Sequence, residues 1–207
     1  MTTIGIVRHG ITDWNLKGIE QGRIDVPLND EGKLQAIALA ERLTAEEPWD
    51  LLISSELARA KETAEIISER LEMPISFLDA RLIEMDSGEI EGTTEAERLE
   101  KWGVDWQRLD LAMESQDIAA QRGLEFFEEI SKKFEGKRVL IISHASLIGA
   151  TLKKILPEQI CKVNLRNTSI TILHRLDRNW ECSLYNCIKH LNVIDISKKN
   201  NGFIMKE

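Results

Sequence analysis

The chain has 207 residues, 43% of them hydrophobic and 30% charged, which suits a globular protein with one packed α/β domain or two small ones. A net charge of −8 excludes the concentrated basic face of a nucleic-acid binder, yet a few arginines focused in a cleft can still hold a small anion. No apolar stretch approaches the ~18 residues of a bilayer span and no secretory leader is visible, so a cytoplasmic protein without a membrane partner is expected.

Ile4-Gly5-Ile6-Val7 is a short apolar run that reads as a buried parallel strand, and Arg8-His9-Gly10 follows at its end. A polar loop is expected over 10–29. Asn29 or Asp30 then caps a helix of about 30–45, with Leu34, Ile37 and Ala38 on its apolar face. Asp50-Leu51-Leu52-Ile53 predicts a second strand. Ser55 is the expected N-cap of a helix over about 56–71, which places Arg59 in the first turn beside the strand end. Pro74 to Leu78 gives a third strand. Residues 80–115, rich in Glu and broken by Gly88, Gly92 and Gly103, read as a flap over the strand ends, with Trp102 and Trp106 at helical spacing. A helix over about 117–134 leads to a strand at 138–143, which delivers Ser143-His144. Another helix spans about 146–155. Ser169 to His174 and Trp180 to Tyr185 form a terminal hairpin around Asp177-Arg178-Asn179, and the tail from Ser197 is frayed. Cys161, Cys182 and Cys187 are odd in number and lack metal-site spacing, so they read as reduced thiols.

Strands alternating with helices imply a three-layer α/β/α fold, with a doubly wound, mainly parallel sheet and an antiparallel edge strand. We expect a single domain over 1–207, carrying the flap at about 80–115. In such sheets ligands bind outside the carboxyl ends of the strands. Arg8, His9, Arg59 and His144 fall there, with Glu84 in the flap. Arginine offers a permanently charged fork that matches phosphate oxygens. A neutral imidazole is a competent nucleophile near pH 7, and a carboxylic acid can protonate a departing alkoxide. This set needs no metal and no cofactor.

The same residues carry a family resemblance. Val7-Arg8-His9-Gly10-Ile11-Thr12-Asp13-Trp14-Asn15, Gln21-Gly22 with Asp25-Val26-Pro27-Leu28-Asn29, Ile53-Ser54-Ser55-Glu56-Leu57-Ala58-Arg59-Ala60, Glu84 to Gly92 and Ser143-His144 occur in order along most of the chain. Together they resemble the histidine phosphatase superfamily, also called phosphoglycerate mutase-like, and most closely its broad-specificity bacterial phosphatases. The resemblance implies that His9 forms a phosphohistidine. It implies that Arg8, Arg59 and His144 hold the phosphoryl group, that Asn15, Gln21 and Gly22 contribute to substrate binding, and that Glu84 is the proton donor. Glu56 stands where the family usually has Pro. Ala145 stands where it usually has Gly, and its backbone N–H remains a candidate for the phosphate provided the position needs no positive φ. His174 and His190 match no motif position and are expected to be structural.

The family holds both hydrolases and mutases. The interval from Glu84 to His144 is short and contains no adjacent Arg-Arg pair, so the site should be open to water. A metal-independent phosphomonoesterase acting on a small phosphorylated substrate is expected. The alternatives are a cofactor-dependent phosphoglycerate mutase and, from another class, a phospho-ligand binding module without turnover; the second normally lacks the nucleophile or an arginine. Neither the substrate nor an oligomeric state is legible.

Overall fold

The structure, a computed structural model, describes residues 1–157, 164–177 and 179–192. Cys161, Arg178 and the tail from Ser197 lie outside the described residues. The chain runs through β1 (Thr2–Arg8), α1 (Asp13–Lys17), α2 (Asp30–Thr44), β2 (Leu51–Ser54), α3 (Ala58–Leu71) and β3 (Ile75–Leu78). It continues through α4 (Glu95–Trp102), α5 (Gln116–Lys133), β4 (Arg138–Ser143), α6 (Ala145–Ile155), β5 (Ile170–Leu176) and β6 (Asn179–Cys187), with 3₁₀ turns at Ala80–Leu82, Gly88–Ile90 and Trp106–Arg108.

The six strands form one sheet in the order β3-β2-β4-β1-β5-β6. β1, β2, β3 and β4 are parallel, whereas β5 runs against both β1 and β6. The reversed strand therefore lies one in from the edge, and β6 is the edge itself. Period-two alternation sends Ile4, Ile6, Val139 and Ile141 to one face, against Phe126, Phe127 and Ile130 of α5 and Ile148 and Leu152 of α6. Val7, Leu140 and Ile142 go to the other face, against Leu39 and Leu43 of α2 and Ala60, Ala64 and Ile67 of α3. With both faces covered, the central strands read as continuous apolar runs. Each large aliphatic side chain so buried contributes about 1.5–3 kcal/mol.

Local chemistry sets the boundaries. Asn29 caps α2 by accepting the Gly32 N–H at 2.9 Å. The expected loop over 10–29 contains a helix, α1, because Thr12 and Asn15 form a reciprocal capping box. Ser55 is not the cap of α3: that position is Leu57, without a side-chain bond, and the Ala58 N–H is taken by Asp25 Oδ1 at 2.6 Å. A carboxylate from a distant loop suits a helix N-terminus and releases the Ser55 hydroxyl for another partner. A Cβ at Gly10 would overlap the Gly32 backbone, and one at Gly32 the Ile11 backbone. Glycine at both positions lets the loop after His9 lie directly on the first turn of α2.

Trp102 and Trp106 do not share a helix. α4 ends at Trp102, Gly103 turns the chain at φ +80°, and Trp106 opens a 3₁₀ turn. Trp106 is buried with Ile90 and Leu111, against Trp102, and donates its Nε1–H to Glu95 Oε1 at 3.0 Å. The tryptophans pack the flap upon itself. Among the described residues no helix is long and apolar enough to cross a membrane.

Candidate active site

β1 and β4 are neighbours in parallel register, with Arg8 opposite Ser143. The next residues, His9 and His144, emerge at one level with ring centroids 5.2 Å apart. The His9 N–H donates to the Ser143 carbonyl at 2.9 Å, which extends the ladder into the site. The long helices downstream of the two strands, α2 and α6, pack on opposite faces of the sheet, so a crevice opens between their starts.

His9 is 2% exposed. Its Nδ1 lies 2.7 Å from the Gly10 carbonyl oxygen. A carbonyl only accepts, so Nδ1 carries the proton and Nε2 the lone pair. Burial, followed by the charges of Arg8 and Arg59, pushes the imidazole well below its ordinary 6.5. His9 is therefore neutral near pH 7, with a nucleophilic nitrogen. His144 is fully buried and likewise held well below 6.5, by burial and then Arg59. Its Nε2 meets the Ser55 hydroxyl at 2.7 Å.

Arg59 donates through Nη1 to the Ile24 carbonyl at 2.9 Å and through Nη2 to the Gly22 carbonyl at 2.7 Å. Arg8 Nη1 donates to the Leu165 carbonyl at 2.6 Å. Burial lowers both guanidinium groups from their ordinary value while Glu84 works in the opposite direction. Arg8 Nε, Arg59 Nε and His144 Nδ1 are buried without a protein partner. An unpaired buried polar atom costs about 1–3 kcal/mol, so the two guanidinium groups at the crevice suit a ligand rich in acceptor oxygens.

Glu84 follows the 3₁₀ turn at Ala80–Leu82. Its Oε1 accepts the N–H groups of Met85 and Leu147, each at 2.9 Å, and its Oε2 accepts that of Ser146 at 3.1 Å. The carboxyl thus sits on the first turn of α6. Ala145, at the first position of that helix, is not among the residues with positive φ, so alanine fits there without strain. Arg122 of α5 holds the backbone that carries Glu84. Its Nη1 donates to the carbonyls of Arg81 at 2.8 Å and Ile83 at 2.7 Å, and its Nη2 to that of Glu84 at 3.1 Å. Arg122 also makes a two-pronged pair with Glu114, at 2.9 and 3.0 Å.

A cavity of about 150 Å³ is lined by Arg8, His9, Asn15, Gln21, Gly22, Arg59, Glu84 and Ala145. These are the residues expected from the sequence, except that His144 lies behind the wall against His9. Sequence reasoning missed Ile19, Glu20 and Ser146, which complete the lining. It also missed Ser55 as the partner of His144, and Arg122. Glu20 and Ser146 are each one residue from a motif position, a signal that could have found them; Arg122 had none. Gly22 has φ +46°, and a Cβ there would collide with the Glu91 carboxylate. A larger cavity of about 280 Å³, at the opposite end of the sheet around Met1, Thr2 and Arg175, has no buried imidazole. His174 and His190 line neither; they bond Thr3 and Ser183, and Thr168. Among the described residues no group of three or more His, Cys, Asp or Glu is placed to hold a metal ion.

The model of the histidine phosphatase superfamily (branch 1) matches residues 4–188. The chain belongs to that family. It is 33% identical over 194 residues to the Bacillus subtilis (strain 168) protein named uncharacterized phosphatase PhoE, covering 93% of this chain and 98% of the relative. It is also 33% identical to the metal-independent phosphoserine phosphatase of Arabidopsis thaliana, over 94% of this chain and 85% of the relative. The solved structure of Bacillus stearothermophilus YhfR superposes with a TM-score of 0.84 at 28% identity, over 92% of this chain and 100% of that one. The Salmonella paratyphi C (strain RKS4594) protein named probable phosphoglycerate mutase GpmB is similar as well, at 32% identity over 88% of this chain and 89% of the relative.

Proposed function

We propose that the chain is a cytoplasmic, metal-independent phosphomonoesterase that acts as a single domain over 1–207 on small phosphorylated substrates. The observation that carries this is the His9 imidazole: neutral, with Nδ1–H bound to the Gly10 carbonyl and Nε2 left as a nucleophile in a cavity that holds Arg8 and Arg59. The phosphoryl dianion sits between the guanidinium groups, with the Ala145 N–H as a further donor and His144 packed behind His9. His9 Nε2 attacks phosphorus in line, the P–O bond to the alcohol breaks, and Glu84 in its protonated form gives its proton to the departing oxygen. Water then attacks the phosphohistidine and loses a proton to Glu84, and inorganic phosphate leaves with His9 restored. Asn15 and Gln21 hydrogen-bond the phosphoryl oxygens. Cytoplasmic residence is supported by the free thiols of Cys182 and Cys187.

The test is phosphate release from p-nitrophenyl phosphate in the presence of EDTA. Turnover that survives the chelator and disappears in His9→Ala supports hydrolysis. Isomerisation of 3-phosphoglycerate with 2,3-bisphosphoglycerate present, at a rate exceeding phosphate release, would overturn it in favour of a mutase.

A further inference from the structure

The phosphoryl end of the cavity is accounted for above, but Glu20 is not. Glu20 lines the cavity beside Ile19. Its position is fixed on three sides. Its N–H donates to the Thr93 carbonyl at 2.9 Å, its carbonyl accepts the Gly92 N–H at 2.8 Å, and its Oε1 accepts the Ser87 hydroxyl at 2.8 Å. Oε2 has no hydrogen-bond partner, and no Lys or Arg pairs with Glu20 among the described residues. The nearest cations lining the cavity are Arg8 and Arg59, and Arg59 feels the Glu20 charge. Both are committed to the phosphoryl group.

We propose that Glu20 reads the alcohol half of the substrate and selects phosphomonoesters whose alcohol carries an ammonium group. This inference rests on the hydrolytic function proposed above. An ammonium group supplies the donor that Oε2 lacks and offsets a carboxylate that is otherwise unpaired. A leaving group bearing only a carboxylate, as in phosphoglycerate, meets like charge instead, and the described lining offers no third cation to receive it. The aminoalkyl phosphates are therefore the favoured class.

Glu20→Gln separates this role from a purely structural one, because glutamine keeps an acceptor oxygen for Ser87 and removes only the charge. The measurement is the ratio of kcat/KM for O-phosphoethanolamine to that for n-propyl phosphate, which is similar in length and uncharged at the alcohol, with 3-phosphoglycerate as a third substrate. In the wild type O-phosphoethanolamine leads, since a hydrogen bond to a charged group contributes about tenfold or more. In Glu20→Gln that ratio falls about tenfold and 3-phosphoglycerate gains on n-propyl phosphate. A ratio unchanged between wild type and Glu20→Gln, or a wild type that hydrolyses p-nitrophenyl phosphate without preferring the ammonium substrate, overturns this inference and leaves the hydrolytic function standing. Absence of turnover on every phosphoester overturns both.

Discussion

The two walls of the cavity are built by different physics. On the sheet wall, Arg8, His9 and His144 stand at the ends of paired strands, and ladder bonds fix their spacing. Those bonds run between backbone groups and depend little on side-chain identity. On the flap wall, Glu84 and the segment that anchors Glu20 belong to irregular backbone and 3₁₀ turns. Single side chains hold that wall. Arg122 gathers three carbonyls, and Glu91 Oε1 accepts the Arg23 N–H at 2.7 Å and the Ser87 N–H at 3.1 Å. In the proposed reaction the sheet wall handles the phosphoryl group, common to all substrates. In that reaction the flap wall meets the alcohol, which differs between them, and its geometry can change one residue at a time.

The contrast breaks most visibly at His9. His9→Ala removes the proposed nucleophile from a rigid frame, so phosphate release drops by about 10⁴-fold or more while thermal stability is kept. Residual turnover within about tenfold of wild type would assign the nucleophile elsewhere. Next on the same wall, Arg8→Lys keeps the charge but loses the planar fork. It should lower kcat about 10²-fold on aryl and alkyl phosphates alike, because every substrate shares the phosphoryl group.

The flap wall predicts a different signature. Arg122→Met leaves every lining residue in place but frees the carbonyls of Arg81, Ile83 and Glu84. Burial pushes the Glu114 carboxyl up, yet the hydrogen bonds and charge of Arg122 outweigh it and leave Glu114 below the ordinary carboxylate range, a sign of how tight the pair is. Loosening the backbone of the proposed proton donor matters when the leaving alkoxide is basic. The variant should therefore lose about 10–100-fold in kcat on alkyl phosphates and far less on p-nitrophenyl phosphate, with KM little changed. Equal losses on the two substrates would show Arg122 to be structural only.

The same division explains what the sequence made legible. Apolar runs at 4–7 and 139–142 announce buried strands, and a strand end is where a ligand site falls, so Arg8, His9 and His144 could be placed with no knowledge of contacts. Arg59 followed from its place in the first turn of the next helix, beside a strand end. The flap was legible only as a break in composition, because its order comes from long-range side chain–backbone bonds that no period encodes. Trp102 and Trp106 show the limit: their spacing fits a helix, but Gly103 at φ +80° ends it between them. Asp25 capping α3 from another loop is a further case, since propensity points to Ser55 and tertiary contact decides otherwise.

The smallest effect follows from the neutral histidines of the rigid frame. His9 and His144 are held well below 6.5, and His190 is pushed down to about 4 by burial and then Arg42. In the unfolded chain each takes up a proton as pH falls through about 6.5, whereas in the folded protein each resists. The unfolded state then binds more protons, so stability is complete above that pH and is lost as pH drops. For His190 the loss spans 6.5 down to about 4, and for the buried pair it continues lower. The share of His190 alone should lower Tm by a few degrees between pH 7 and pH 5, before the carboxylates titrate. His190→Gln, which keeps an acceptor or donor for the Thr168 hydroxyl, should flatten that slope without touching the cavity. Parallel Tm–pH curves for variant and wild type would mean that His190 titrates alike in the folded and unfolded states, and would confine the acid sensitivity to the two imidazoles of the active site.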